Sequence, residues 1–312
     1  MTGTILVPPA VTVRDAAHLV IGRQVRELRR QERLVLKDHS VDAVHDMRVA
    51  TRRLRAAMAV FRGVVDVPKA GGRRRLRWVA QRLGRVRDLD VRAVLLRERF
   101  LPHVEGVEAA HVVAMLRDLR TRRARAYRRL AGGLRAPRYR RLREALGDWV
   151  REPAFLGEGE VAAARWMAVA ADRAAQRVSL HEAMRISKPS AESLHDLRIA
   201  VKWLRYTLDF HGESCGLAYD AERALTRDLQ DCLGEMRDHD LLLARLAKQG
   251  DGAWPQLSAA ILAARRRLWR RFLEVRRRWH VRTRQAKPAA PVEEPRFVNL
   301  EVTPVQLRLV TG

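Results

Sequence analysis

The chain has 312 residues, 47% of them apolar and 5% aromatic, enough for one large domain or two modest ones with a sizeable core. Lys plus Arg total 62 against 36 Asp plus Glu, and the resulting charge of +26 points to polyanions as partners: nucleic acid, an anionic membrane surface or a phosphate polymer. Two cysteines, Cys215 and Cys232, set up neither a disulfide framework nor a metal-ligand spacing, and no apolar run reaches the roughly 20 residues that a membrane span needs.

Residues 1–12 carry Pro8 and Pro9 and read as a flexible arm. They lack the basic and apolar regions of a secretory signal, so the cytoplasm is the expected location. Ala, Leu and Arg then dominate, and helical periodicity predicts helices over 13–37, 41–65, 72–99, 107–134, 138–151, 159–186, 191–211, 218–248 and 254–284. The breaks fall at Pro68 and Gly71–Gly72, Pro102 and Gly106, Gly132–Gly133 with Pro137, Pro153 and Gly157, Pro189, Gly212 and Gly216, and Gly250 to Pro255. The expected class is all-α. Residues 286–312 lose the pattern and read as a flexible tail.

An internal repeat organises the chain. Val44–Val60 reads VHDMRVATRRLRAAMAV and Leu194–Phe210 reads LHDLRIAVKWLRYTLDF, at an offset of 150. The same offset aligns Leu83–Asp90, LGRVRDLD, with Leu233–Asp240, LGEMRDHD, and pairs Arg73 with Arg223 and Arg77 with Arg227. The chain therefore divides into two homologous halves, 13–155 and 156–285. A period this long suits two packed helical bundles related by a pseudo-two-fold better than a solenoid.

On a helix, His45, Arg48, Arg52 and Arg55 fall within an arc of about 80°, opposite Met47, Leu54 and Met58. The second copy lines up His195, Arg198, Lys202 and Arg205 in the same way. A solvated helix face usually mixes charges to gain i,i+4 pairs. Here cations stand alone in line, which costs stability unless an anion joins them. The two stripes are the candidate ligand-binding face, with Arg73, Arg77, Arg223 and Arg227 as further candidates. His45 and His195, placed in the first turn after caps at Ser40 or Asp42 and at Ser190, either donate to an anion or hydrogen-bond a neighbouring helix. Gly84 and Gly234 suggest close helix approach, and Arg87–Asp88 with Arg237–Asp238 suggest ion pairs that hold nearby arginines. The basic runs Arg117–Arg129, Arg138–Arg143 and Arg265–Arg278 either extend a basic groove or coat the outside.

The HDxRVAxRRLR and HDLRIAxKxLRY elements, each followed by LGxxRDxD, resemble the CHAD family, the conserved histidine α-helical domain, over about 13–285. The resemblance implies two four-helix bundles with pseudo-two-fold symmetry, a central basic groove or pore, and binding of inorganic polyphosphate, with possible localisation to polyphosphate granules. By position it implies ligand contacts at His45, Arg48, Arg52, Arg55, His195, Arg198, Lys202 and Arg205. Some members carry a triphosphatase domain marked by Glu-x-Glu-x-Lys; this chain has Glu158 and Glu160 but Ala162, so that catalysis is not expected. No cofactor or metal is expected. Two alternatives remain. The net charge also fits a protein that binds nucleic acid without sequence preference. The His45–Asp46 and His195–Asp196 dipeptides fit a metal-dependent phosphohydrolase of the HD type, given further ligands.

Overall fold

A computed structural model describes residues 11–38, 40–157, 161–215, 219–248 and 254–285. The expected flexible tail at 286–312 and residues 1–10 of the expected arm at 1–12 lie outside the described residues, whereas Val11 and Thr12 are tied down: Val11 O accepts from Ala163 N at 2.8 Å and Thr12 bridges Ala162. Ten α-helices run through the rest: α1 Val13–Asp38, α2 Val41–Val60, α3 Arg73–Val94, α4 Gly106–Arg135, α5 Pro137–Arg151, α6 Ala163–Ser179, α7 Glu182–Arg185, α8 Ala191–Cys215, α9 Asp220–Ala247 and α10 Pro255–Gln285. The described residues contain no strand, only two isolated bridges, Thr12 with Ala162 and Val65 with Phe155.

Local chemistry sets most of the boundaries. Ser40 Oγ accepts from Ala43 N at 3.0 Å and opens α2. Ser190 Oγ accepts from Ser193 N at 3.0 Å at the start of α8, 150 residues on. Pro137 and Pro255 begin α5 and α10, where a missing N–H is harmless. Several predicted boundaries need correction: α4 runs through Gly132–Gly133 to Arg135, and α8 through Gly212 to Cys215, so neither glycine site breaks a helix. The helix predicted over 41–65 ends at Val60, and Gly63 at φ 91° turns the chain. Val64 and Val65 are buried beyond that turn, so their apolar signal belongs to the core and not to a helix. The helix predicted over 159–186 is broken: His181 leaves helical geometry and its Nδ1 accepts from Ala183 N at 3.2 Å, starting α7.

Helices α1, α2, α3 and α4 pack on one another in chain order, and α6, α8, α9 and α10 do the same; α5 lies against α1, α3 and α4. One core fills the first group, and Tyr206 and Phe210 of α8 enter it from the second. Another fills the second group around Leu197, Leu204, Leu229 and Phe272. A third core forms at the opposite end. There α3 continues through a π turn to Phe100, which joins Leu96, Val112 and Leu119 to Leu242, Leu246, Leu257 and Ile261. At that end α4 and α10 cap each other. Glu108 accepts from Gln256 N and Leu257 N, both at 3.0 Å, while Gln256 Oε1 accepts from Glu105 N at 2.9 Å.

Candidate functional site

The caps at Ser40 and Ser190 fix the phase of α2 and α8. Met47, Ala50, Thr51, Leu54 and Met58 are buried on α2, and Leu197, Ala200, Val201, Leu204 and Leu208 on α8. That leaves Arg48, Arg52 and Arg55, and Arg198, Lys202 and Arg205, partly exposed where α2 packs against α8. Val41 opens α2, so His45 stands in its second turn and not in the first. The same holds for His195 in α8, which opens at Ala191. The free N–H groups of the helix ends therefore do not support either histidine as an anion site.

The two stripes form one cluster. The charges that bear most on Lys202 are Arg52, Arg198, Arg48 and Arg55, all cationic. Burial, reinforced by those neighbours, holds the Lys202 ammonium well below the ordinary lysine range. Burial also lowers Arg52, which has Arg48 and Arg205 beside it. Arg52 and Arg205 lie over the Tyr206 ring, 5.8 and 5.2 Å from its centroid. Burial lowers Arg55 too, with Arg73, Arg77 and Arg48 as its nearest repelling charges, so α3 supplies two further cations. Nε of Arg48, Arg52, Arg198 and Arg205 are buried donors, and Nδ1 of His195 a buried ring nitrogen, with no hydrogen-bond partner among the described residues. Desolvated like charges with unmet donors are costly, and an anion is the partner that satisfies both terms.

Both motif histidines border this cluster. Burial lowers the pKa of His45, helped by Arg87, and that of His195, helped by Arg237 and Arg198. Arg87 and Arg237, expected to pair with the adjacent aspartates, are thus the cations that bear most on the histidines. The ion pairs of their motif run elsewhere: its closing aspartates, Asp90 and Asp240, accept from Arg123 of α4 and Arg265 of α10. Asp88 and Asp238 bear on each other and on Arg198, and burial raises the Asp238 carboxyl against the pull of Arg198. Arg87 and Arg237 were legible as site residues, since they recur at the same offset as the histidines.

Gly84 and Gly234 do not mark close helix approach. A Cβ at Gly84 would meet nothing within 4 Å, and one at Gly234 would meet only Arg198 Nε at 3.9 Å. At Gly234, and by the repeat at Gly84, the missing side chain leaves space beside the cationic cluster.

Arg223 and Arg227 are placed differently from Arg73 and Arg77. Arg223 Nε donates to Asp209 Oδ1 at 3.2 Å, and its guanidinium lies 3.8 Å from Asp220. Arg227 Nε donates to Arg223 O at 3.3 Å. Asp209 occupies the place of Ala59 in the repeat, and together with Glu213 it also binds Arg53 of α2. Asp46 lines a cleft of about 470 Å³ with Arg23, Glu27, Arg53 and Glu213, whereas His45 borders the cationic cluster. The His-Asp dipeptide therefore does not converge on one point. Among the described residues no group of three or more His, Cys, Asp or Glu is arranged to hold a metal ion, and no helix is long and apolar enough to cross a membrane.

A family model for the CHAD domain matches residues 19–247. The chain belongs to the CHAD domain family. This CHAD chain is similar to the crystal structure of the CHAD domain from the plant Ricinus communis, with 28% identity, a TM-score of 0.66, and coverage of 89% of this chain and 95% of that one. It shares its fold with PptA from Streptomyces chartreusis, at 19% identity and a TM-score of 0.66, over 88% of this chain and 100% of that one. Uncharacterized proteins from two strains of Mycobacterium tuberculosis are 29% identical over 267 residues, which is 79% of this chain and 47% of theirs. The CHAD chain thus spans about half the length of these curated relatives.

Proposed function

We propose that this CHAD chain binds inorganic polyphosphate, without catalysis, in a basic groove between two duplicated four-helix bundles. The bundles are α1–α4 and α6 with α8–α10, related by a pseudo-two-fold that brings α2 against α8. The 150-residue offset, the matching serine caps and the equivalent packing orders support this arrangement. The observation that carries the reading is Lys202, a lysine from one repeat whose nearest charges include all three stripe arginines of the other. One anionic chain crossing both repeats satisfies these cations together.

The core of the site is Arg48, Arg52, Arg55, Arg198, Lys202 and Arg205. His45 and His195 border it with Arg87 and Arg237, and Arg73 and Arg77 extend it along α3. Arg223 and Arg227 belong to its periphery, because carboxylates already hold Arg223. Closely spaced guanidiniums suit a ligand whose charge is dense and unshielded by sugars. Tyr206 is buried and already carries two guanidiniums, so its ring is no platform for a base. The protein would act in the cytoplasm, on polyphosphate granules where these form.

A competition between long-chain polyphosphate and duplex DNA at equal total charge tests the reading. Polyphosphate should displace DNA from the protein, and affinity should fall linearly with log salt. Equal competition would leave only charge-driven polyanion binding, the nucleic-acid reading.

A further inference from the structure

The cationic line of α8 ends in acid. Helical phase carries Asp209 and Glu213 into the same arc as Arg198, Lys202 and Arg205, further along the helix. The equivalent places in the first repeat are Ala59 and Gly63. The two carboxylates are mostly covered, with side-chain exposures of 14% and 17%, and both are engaged. Asp209 accepts from Arg53 of α2 at 3.0 Å and from Arg223 of α9 at 3.2 Å. Glu213 accepts from the same Arg53 and lies 3.7 Å from Arg23 of α1. Asp220 lies 3.8 Å from Arg223. Three arginines thus face three carboxylates here, and this end of the cationic line is locally neutral.

The other end carries no such compensation. Trp203 stands at the counterpart of Arg53, Ala59 at that of Asp209 and Ala70 at that of Asp220. Arg73, the counterpart of Arg223, is exposed and has no carboxylate partner among the described residues; the charge that bears on it is Arg62. A phosphate chain gains most from guanidiniums whose N–H groups are still free. To recruit Arg53 or Arg223 it would have to strip them from covered carboxylates. Leaving such a carboxylate unpaired costs more than one exposed ionic contact contributes.

We propose that Asp209 and Glu213 close the α8 end of the groove, so that a bound polyphosphate chain stops at Arg205 and continues outward only past Arg55 and Arg73. The inference rests on the polyphosphate reading and adds a direction to it. A symmetric duplication would offer a polymer two equivalent exits; Asp209, Glu213 and Asp220 leave it one.

Affinity of the full chain for long-chain polyphosphate is measured across a salt series for the native sequence and for Arg73→Gln, Arg223→Gln, Asp209→Ala and Asp209→Ala with Arg223→Gln. Arg73→Gln should weaken binding about two- to fivefold, the worth of one exposed ion pair. It should also lower the salt slope by a little under one unit, the signature of about one phosphate contact. Arg223→Gln should remove less than about half of that slope. Asp209→Ala should release Arg223 and steepen the slope by about as much as Arg73→Gln removes, and the gain should vanish in the double variant. A purely structural role for Asp209 lowers the melting temperature but creates no such coupling. Equal losses from Arg73→Gln and Arg223→Gln, or a folded Asp209→Ala variant without the gain, would overturn the closure and leave polyphosphate binding untouched. The comparison of the two arginine variants keeps both carboxylates in place, so it decides the matter even where Asp209→Ala does not fold. A native chain that shows no salt-dependent polyphosphate binding would sink the functional reading itself, and the closure with it.

Discussion

Lys202 holds in the second repeat the position that Arg52 holds in the first, and in the folded chain each lies within the electrostatic reach of the other. Two cations at equivalent places in a duplication, with cations as the charges that bear most on Lys202, make the unliganded protein less stable than its core alone would allow. Replacing Arg52 or Lys202 alone by Gln should raise the melting temperature of the free protein, whereas the triple replacements of Arg48, Arg52 and Arg55, or of Arg198, Lys202 and Arg205, also remove the pull of Arg48 or Arg198 on the Asp238 carboxyl. Each triple variant should also lose most long-chain affinity, because one polymer spans both stripes, while weak short-chain binding persists. Calorimetric titration separates this from two independent sites, for which stoichiometry would halve and the remaining affinity stay unchanged.

The histidines give affinity a pH dependence of defined sign. Burial first, then Arg87 at His45 and Arg237 at His195, lowers both below the ordinary value. A bound polyanion favours the imidazolium and raises them. Affinity should therefore climb as pH falls, starting at the raised pKa and levelling only below the depressed one, under the usual value of about 6.5. A His45→Gln, His195→Gln double variant should keep its affinity at about pH 8 and lose the slope. An unchanged slope, or a variant that unfolds, would assign the histidines to helix packing.

His239 gives the fold itself an acid limit. Buried at 4% exposure against Phe100, with ring centroids 5.4 Å apart, it is pushed by burial down to about 4. A base whose pKa is lowered on folding leaves stability intact above its unfolded value and removes it as pH falls toward the folded value. Between about pH 6.5 and 4 the loss should approach about 3 kcal/mol. Leu89 occupies the equivalent place in the first repeat. A His239→Leu variant should flatten this part of the urea-denaturation profile against pH.

The two glycines separate stability from binding. A helix-interior glycine is worth about 1 kcal/mol less than alanine, and neither Gly84 nor Gly234 has a neighbour that a Cβ would strike. Gly84→Ala and Gly234→Ala should each stabilise the protein by about 0.5–1 kcal/mol. Gly84→Leu and Gly234→Leu should fold, yet reduce polyphosphate affinity by filling space beside Arg198 and its counterpart Arg48. Leucine variants with native affinity would show that the space serves no ligand.

Much of this was legible before any coordinates, because the duplication states each signal twice. Where both copies keep a residue, as at Arg48 with Arg198, the helical phase alone places it on the cluster. The reading weakens where the copies diverge. Arg223 matches Arg73 in register, but Asp209 stands where the first repeat has Ala59 and Asp220 where it has Ala70, and these carboxylates redirect the guanidinium. Gly84 was misread because a glycine in a helix admits either a neighbouring helix or empty space, and sequence does not distinguish them. Val64 and Val65 extended α2 too far because burial in a turn gives the same apolar signal as burial in a helix. The break after Ser179 depends on a histidine acting as a cap, a role that its residue type does not advertise.

The exchanged caps of α4 and α10 bear on how the protein comes apart. Glu108 and Gln256 each satisfy the first turn of the other's helix, and the apolar cluster around Phe100 lies behind them. At the opposite end Tyr206 and Phe210 are buried in the core of the first group of helices. Separating the two groups therefore unravels a helix terminus in each and exposes core in both, so neither can melt while the other stays intact. The chain should denature in a single cooperative step despite its tandem ancestry, and a fragment ending at Glu152 should lack the surfaces that complete it.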